Sequence, residues 1–215
     1  MDTKGRPPVV PLLLFLFLFQ ILAPGLAFDA IAQSNGHDAK GVVLSEVLPY
    51  ARGGGLETEY VKVYNSGNSE VDLAGWKLCD EHQCAIFPKI ADAYLLGAGV
   101  TWALAQNATS FSNMRNQAAP SFAYLGAVSP TRTFANGSVW PAMLNDGDYL
   151  WLEDYKGTIV DAVAFGRDYQ GPGWTGEPAS APRMGWAFVR EYRFDGTVRV
   201  YQDTNSSADW PTYRT

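Results

Sequence analysis

The feature that most constrains this chain is its punctuation. Runs of β-branched, aromatic and aliphatic residues recur between clusters of Gly, Pro, Asn and Asp, and several alternate with a period of two. The clearest is Glu59-Tyr-Val-Lys-Val-Tyr64, where Tyr60, Lys62 and Tyr64 alternate against Val61 and Val63. The two sets must face opposite sides of a sheet. The same reading predicts strands over Gly41–Leu48 (ended by Pro49), Val71–Leu78, Ala85–Phe87 and Val100–Ala105. Asn65-Ser-Gly-Asn-Ser69 is a turn cluster. Tyr149–Glu153 and Thr158–Phe165 flank Asp154-Tyr-Lys-Gly157 as a hairpin, and Gly185–Tyr192 with Thr197–Tyr201 form another around Asp195-Gly196. No convincing amphipathic helix of 12 residues exists beyond the N-terminal segment. The expected fold is all-β, a sandwich or barrel. Residues 106–142 and 169–185 are expected as irregular connections, and connections of such length are often functional.

The N-terminus reads as an address. Lys4 and Arg6 precede an apolar run from Val9 to Leu22, and small residues follow at Ala23–Ala27 and Ala30–Ala32. This order predicts a secretory signal peptide over 1–32, cleaved after Ala32, with Ala27 as the alternative. Pro11 and Pro24 confine the unbroken apolar stretch to 12 residues, short of the roughly 20 that span a bilayer. The membrane enters only if the segment stays uncleaved as an anchor. Residues 33–40 are expected as a disordered leader, 41–168 as a β-sandwich and 169–215 as a C-terminal extension carrying a β-hairpin.

An exported chain with two cysteines, Cys79 and Cys84, suggests one short-loop bridge, with two reduced thiols as the alternative. Asn107, Asn136 and Asn205 begin glycosylation tripeptides. Sixteen Lys and Arg against 22 Asp and Glu give a net charge of −6, which carries no broad nucleic-acid footprint. Aromatics at 13% and hydrophobic residues at 47% supply enough surface to bury for a folded domain.

Three segments in order resemble the opening of a lamin-tail domain: Ser45-Glu46-Val47, then Glu59 to Asn65, then Val71-Asp-Leu-Ala-Gly-Trp-Lys-Leu78. The second half is similar too, in Leu144-Asn-Asp-Gly-Asp148, Leu150-Trp-Leu152, Asp154 to Gly157 and Val160-Asp161 through Phe165-Gly166. The likeness covers roughly residues 41–166, with Lys62 where the family usually carries a second acidic residue. It implies an immunoglobulin-like β-sandwich and places motif residues at Glu46, Tyr60, Asn65, Trp76, Asp148 and Asp161. Such domains occur in nuclear lamins and in exported microbial proteins, beside envelope-associated modules or hydrolase domains. The stretch Asp203 to Trp210 resembles, more weakly, the segment joining such a domain to a phospholipase D-like domain.

The motif residues read as structural. Gly75-Trp76 is expected to put an indole in the inter-sheet core, with Gly75 allowing close backbone approach. Asn145-Asp-Gly-Asp148 reads as a turn, with a calcium site built from Asp146, Asp148 and Asp154 as the sharper alternative.

No nucleophile elbow, zinc-protease motif or phosphate loop is present, and neither His37 nor His82 begins a phosphodiesterase His-x-Lys motif. Glu59, Asp148, Glu153 and Asp161 are the available carboxylates, expected on a solvated strand face. The chain is therefore expected to be non-catalytic, without cofactor or metal. Trp140, Trp174, Trp186 and Trp210 serve either as surface platforms or as clips fastening the extension. The expected function is a secreted or cell-surface module binding a protein or glycan at the envelope, with no nucleic-acid partner. The alternative is the targeting half of a surface hydrolase, phospholipase D-like or nuclease, whose catalytic domain lies outside this chain.

Overall fold

In a computed structural model, the described residues are 37–38, 41–50, 58–115, 118–126, 130–167, 169 and 171–214. The signal peptide expected over 1–32 lies outside them. The strands are β1 (His37–Asp38), β2 (Val42–Leu48), β3 (Tyr60–Asn65), β4 (Val71–Asp72), β5 (Lys77–Cys79), β6 (Cys84–Ile86), β7 (Leu95–Leu96) and β8 (Thr101–Asn107). After helix α1 (Ala108–Arg115) come β9 (Phe122–Leu125), β10 (Arg132–Thr133), β11 (Asp148–Glu153) and β12 (Ile159–Phe165). The last four are β13 (Ala187–Val189), β14 (Tyr192–Asp195), β15 (Val198–Asp203) and β16 (Thr212–Arg214).

A seven-stranded sheet, ordered β10-β9-β8-β3-β2-β13-β16, lies against a four-stranded sheet, β12-β11-β5-β6. The layers meet in one core that includes Leu44, Val47, Val61, Val63 and Leu104 with Leu78, Leu150, Leu152, Val163 and Phe165. Period-two alternation does this directly: Val61 and Val63 point into the core, while Tyr60 and Tyr64 pack on the opposite face. Strand β2 keeps its phase by a bulge. Leu44 pairs with Val63 and Glu46 with Lys62, so Ser45 is the extra residue, and Val47 returns to the core. The sheets form the expected β-sandwich.

Several expectations need correction. The predicted strand Val71–Leu78 breaks into β4 and β5, because Trp76 N–H donates to the Leu73 carbonyl in a turn and Gly75 sits at φ +76°. Residues 106–142 are not one irregular connection. They hold the end of β8, the eight-residue α1, β9 and β10, and α1 supplies the crossover that lets β8 and β9 run parallel. The strand predicted over Gly185–Tyr192 divides at Arg190. Its first half, β13, joins β2 in the large sheet; β14 turns away to pair with β15. Within the expected disordered leader, His37 and Asp38 instead pair with Asp203 and Gln202; its other residues lie outside the described set. In the C-terminal extension the hairpin is β14–β15, while β13 and β16 join the main sheet and Trp210 enters the core. Of the aromatics considered for the surface, Trp140, Trp174 and Trp210 are buried and Trp186 is half-buried. For Trp174 and Trp210 this is the clip arrangement.

Candidate functional site

The outer face of the seven-stranded sheet carries two covers. Helix α1 packs Phe111 edge-on against Tyr60, with Leu48, Ala105 and Ala187. The β14–β15 hairpin packs Tyr201 and Tyr192 over Val43 and Tyr64. Between the covers an open cleft of about 440 Å³ remains. Its floor is Ser45, Glu46, Lys62, Thr101, Ala103 and Ser121, and its walls include Phe111 and Ala118 on one side and Tyr192 and Arg199 on the other.

The family-motif residue Glu46 sits at the centre of that floor. Its Oε1 accepts the Tyr60 hydroxyl at 2.5 Å and its Oε2 pairs with Lys62 Nζ at 3.1 Å. Lys62 thus forms an ion pair directly opposite Glu46 in the ladder. Across the cleft the Arg199 guanidinium lies 5.0 Å from the Tyr192 ring centre. It also hydrogen-bonds Tyr201, which keeps the guanidinium above its ordinary pKa. Burial raises the Tyr201 phenol, so the hydroxyl stays protonated.

The other motif residues lie elsewhere and hold the frame. Asn65 Nδ2 donates to the Ser69 and Leu96 carbonyls, each at 2.8 Å, and its Oδ1 accepts Gly67 N–H. Trp76 is in the inter-sheet core, beside Gly75, where a Cβ would meet Lys89 Cγ at 3.3 Å. Asp148 folds inward to accept the N–H groups of Leu144 and Tyr149 at 2.9 and 2.7 Å. Cys79 and Cys84 face each other across the β5–β6 hairpin and are bonded. Its turn is closed by Asp80, whose Oδ1 accepts the N–H groups of His82 and Gln83. Of the three glycosylation tripeptides, Asn136 presents an exposed side chain; Asn107 uses its Oδ1 to cap α1 through Ser110 N–H, and Asn205 is half-buried at φ 51°.

Three of the four carboxylates expected on a solvated face are sealed inside. Glu59, 1% exposed, accepts Trp140 Nε1–H at 2.9 Å and Met143 N–H at 3.2 Å through Oε2. Burial pushes it up to about 8, against those two bonds. Asp161 bridges the layers: Oδ2 accepts Leu44 N–H at 2.6 Å and Arg190 Nη1 at 2.5 Å. Burial raises it to about 6 against the pull of Arg190. Asp148 is raised by burial as well. Glu153, the fourth, is paired with Lys77. Of the three acids of the calcium alternative, Asp146 pairs with Arg167, Asp148 points inward, and Asp154 accepts the N–H groups of Lys156 and Thr158 in its own turn. Among the described residues no group of three or more His, Cys, Asp or Glu is placed to hold a metal ion.

Sequence reasoning missed Arg190, which is 1% exposed. Its Nε donates to the Gln202 carbonyl, Nη1 to Asp161, and Nη2 to Asp203 at 2.9 Å, with Asp209 Oδ2 at 3.7 Å. The Trp210 ring centre lies 5.6 Å from the guanidinium carbon. The available signal was an arginine set directly after the apolar run Ala187-Phe-Val189, with Asp203 and Asp209 further along the chain. Arg199 and Tyr192 were also missed as members of one site.

No curated protein is matched by the sequence. The fold is similar to the crystal structure of a DUF4876 family protein from Bacteroides thetaiotaomicron VPI-5482, with a TM-score of 0.61 and 13% identity. That similarity covers 82% of this chain and 71% of the other. At this identity it speaks for the architecture alone. The family model described as Lamin Tail Domain matches residues 35–167, the span that supplies the four-stranded sheet, strands β2, β3 and β8–β10, and the floor of the cleft. The chain belongs to the lamin tail domain family.

Proposed function

We propose that this β-sandwich is a non-catalytic interaction module acting outside the cytoplasm, at the cell surface or secreted, with the cleft beside Glu46 as its binding site for a protein or glycan of the envelope. The cleft carries this reading. Charged, hydroxyl and aromatic groups meet there on an open face, whereas Glu59, Asp148 and Asp161 are all committed to internal donors. Concave sites with a few convergent polar groups are where small ligands bind. The Cys79–Cys84 bond suits an oxidising compartment, as does a removable signal segment.

The test is fractionation of cells and medium, probed with an antibody to residues 41–166 and coupled to thiol alkylation before and after reduction. The expected result is a processed band outside the cytoplasm whose two cysteines alkylate only after reduction. A full-length cytoplasmic band with both thiols free would defeat the reading. A much larger extracytoplasmic band would favour a targeting role beside a catalytic domain.

A further inference from the structure

The cleft has a chemistry of its own, and its position limits what can fill it. Its floor is built on β2, β3 and β8, and each of these strands is paired on both sides. None of them is an edge strand, so the cleft does not offer the free sheet edge on which a peptide would add as an extra strand. Recognition must run through side chains. Those present are rich in donors. Lys62 gives one N–H to Glu46 and retains two. Arg199 spends one donor on Tyr201, and among the described residues it pairs with no carboxylate. Thr101 and Ser121 add hydroxyls, and Glu46 is the one carboxylate acceptor in the lining. The lining therefore carries two cations and one anion in a chain whose net charge is −6.

We infer that this cleft binds an acidic carbohydrate, a uronate-type sugar whose carboxylate is held by Arg199 and whose hydroxyls meet Lys62, Glu46, Thr101 and Ser121. This rests on the reading of the cleft as a binding site. The guanidinium is pre-set for the task. Tyr192 lies against its face and Tyr201 holds it from one side, which leaves its remaining fork of N–H groups for a planar carboxylate. A cavity of about 440 Å³ falls within the range of roughly 300–1,000 Å³ typical of small-ligand sites. Carbohydrate suits it better than an apolar ligand, because the floor is mostly polar and charged.

The experiment is calorimetric titration of the purified full chain with trigalacturonate and with its fully methyl-esterified form, at low and at physiological salt. Binding of the acid form is expected, weaker at higher salt because the contact is partly exposed. Esterification and Arg199→Gln should each cost about tenfold or more in affinity, as expected for losing a charge-assisted bond. Arg199→Lys should fall between, and thermal melting should confirm that the variants fold. Equal affinity for acid and ester, or no effect of Arg199→Gln, would overturn the inference. So would binding of neither form. Thr101→Trp, at an exposed strand position, should fill the cleft. Equal affinity for acid and ester in the native chain, with both lost in that variant, would keep the cleft as a site while overturning its acidic preference. Cytoplasmic location with free thiols would instead strike the module reading, whatever the titration shows.

Discussion

Glu59 and Asp161 are both carboxylates sealed in the interior, yet the regions around them are built by different chemistry. Glu59 lies under the segment leading into β11 and is met by neutral donors, Trp140 Nε1–H and Met143 N–H. Asp161 lies where β12 meets β2 and faces a guanidinium. Burial raises both, the first to about 8 and the second only to about 6. At neutral pH the first site is therefore mostly uncharged and the second mostly ionic. Neutral donors offset part of the desolvation of a carboxylate; a full countercharge offsets more, and it also ties a distant segment in place. The first site seals a loop, while the second fastens β13, β15 and the turn before β16 to the sandwich.

Replacing Arg190 with Met would break this contrast most sharply. Asp161 would then be buried without its partner, and Asp209 would lose its nearest cation. The expected loss is about 3–5 kcal/mol at pH 7, on the order of ten degrees in Tm for a domain of this size. With the guanidinium gone the Asp161 carboxyl rises further, so the loss should shrink as pH falls towards 5. A loss independent of pH would show that packing, and not charge, is what the arginine supplies.

Glu59→Gln tests the other site. A carboxyl whose folded pKa stands above its unfolded value of 4.5 contributes stability that is complete below pH 4.5 and lost as pH rises through about 8. The amide keeps an oxygen for Trp140 and Met143 but cannot ionise. Melting curves of the two proteins should nearly coincide at pH 4 and separate steadily above it. By pH 8 the variant should be ahead by roughly a few kcal/mol. Parallel curves across that range would refute an uncharged Glu59.

The disulfide should matter less than either site. It closes a loop with a sequence separation of 5, so Cys79→Ser with Cys84→Ser should cost about 2 kcal/mol. Reduction of the native protein should lower Tm by a similar amount. The smallest effect belongs to the Arg167–Asp146 pair, whose side chains are 64% and 56% exposed. Asp146→Asn should change stability by less than about 1 kcal/mol and lose even that in high salt.

Most of the sandwich was legible because its strands alternate. Tyr60-Val-Lys-Val-Tyr64 announces two faces by period alone, and Tyr149–Glu153 with Thr158–Phe165 announces a hairpin. What stayed hidden depended on partners far away in sequence. Glu59 reads as a solvent-facing acid until Trp140, 81 residues on, covers it. Asp161 reads the same until Arg190 arrives. The helix α1 is too short, at eight residues, and too polar to show a periodic stripe. The cleft was half visible: Glu46 and Lys62 stood in the motif, but Tyr192 and Arg199 come to it from the opposite end of the chain.

Strand β2 takes its two neighbours from very different times in the chain's synthesis. β3 is the next strand along the chain, whereas β13 comes much later and the Arg190 contact to the Leu44 carbonyl spans 146 residues. An emerging polypeptide can pair β2 with β3 early, but that sheet must wait with an open edge until almost the whole domain has left the ribosome. During that interval Asp161 has the Leu44 N–H but not its countercharge, and the open edge of β2 is exposed to wrong pairing. Arg190 and the strands after it therefore supply the contacts that join both layers, and they are the last part of the domain to be synthesised.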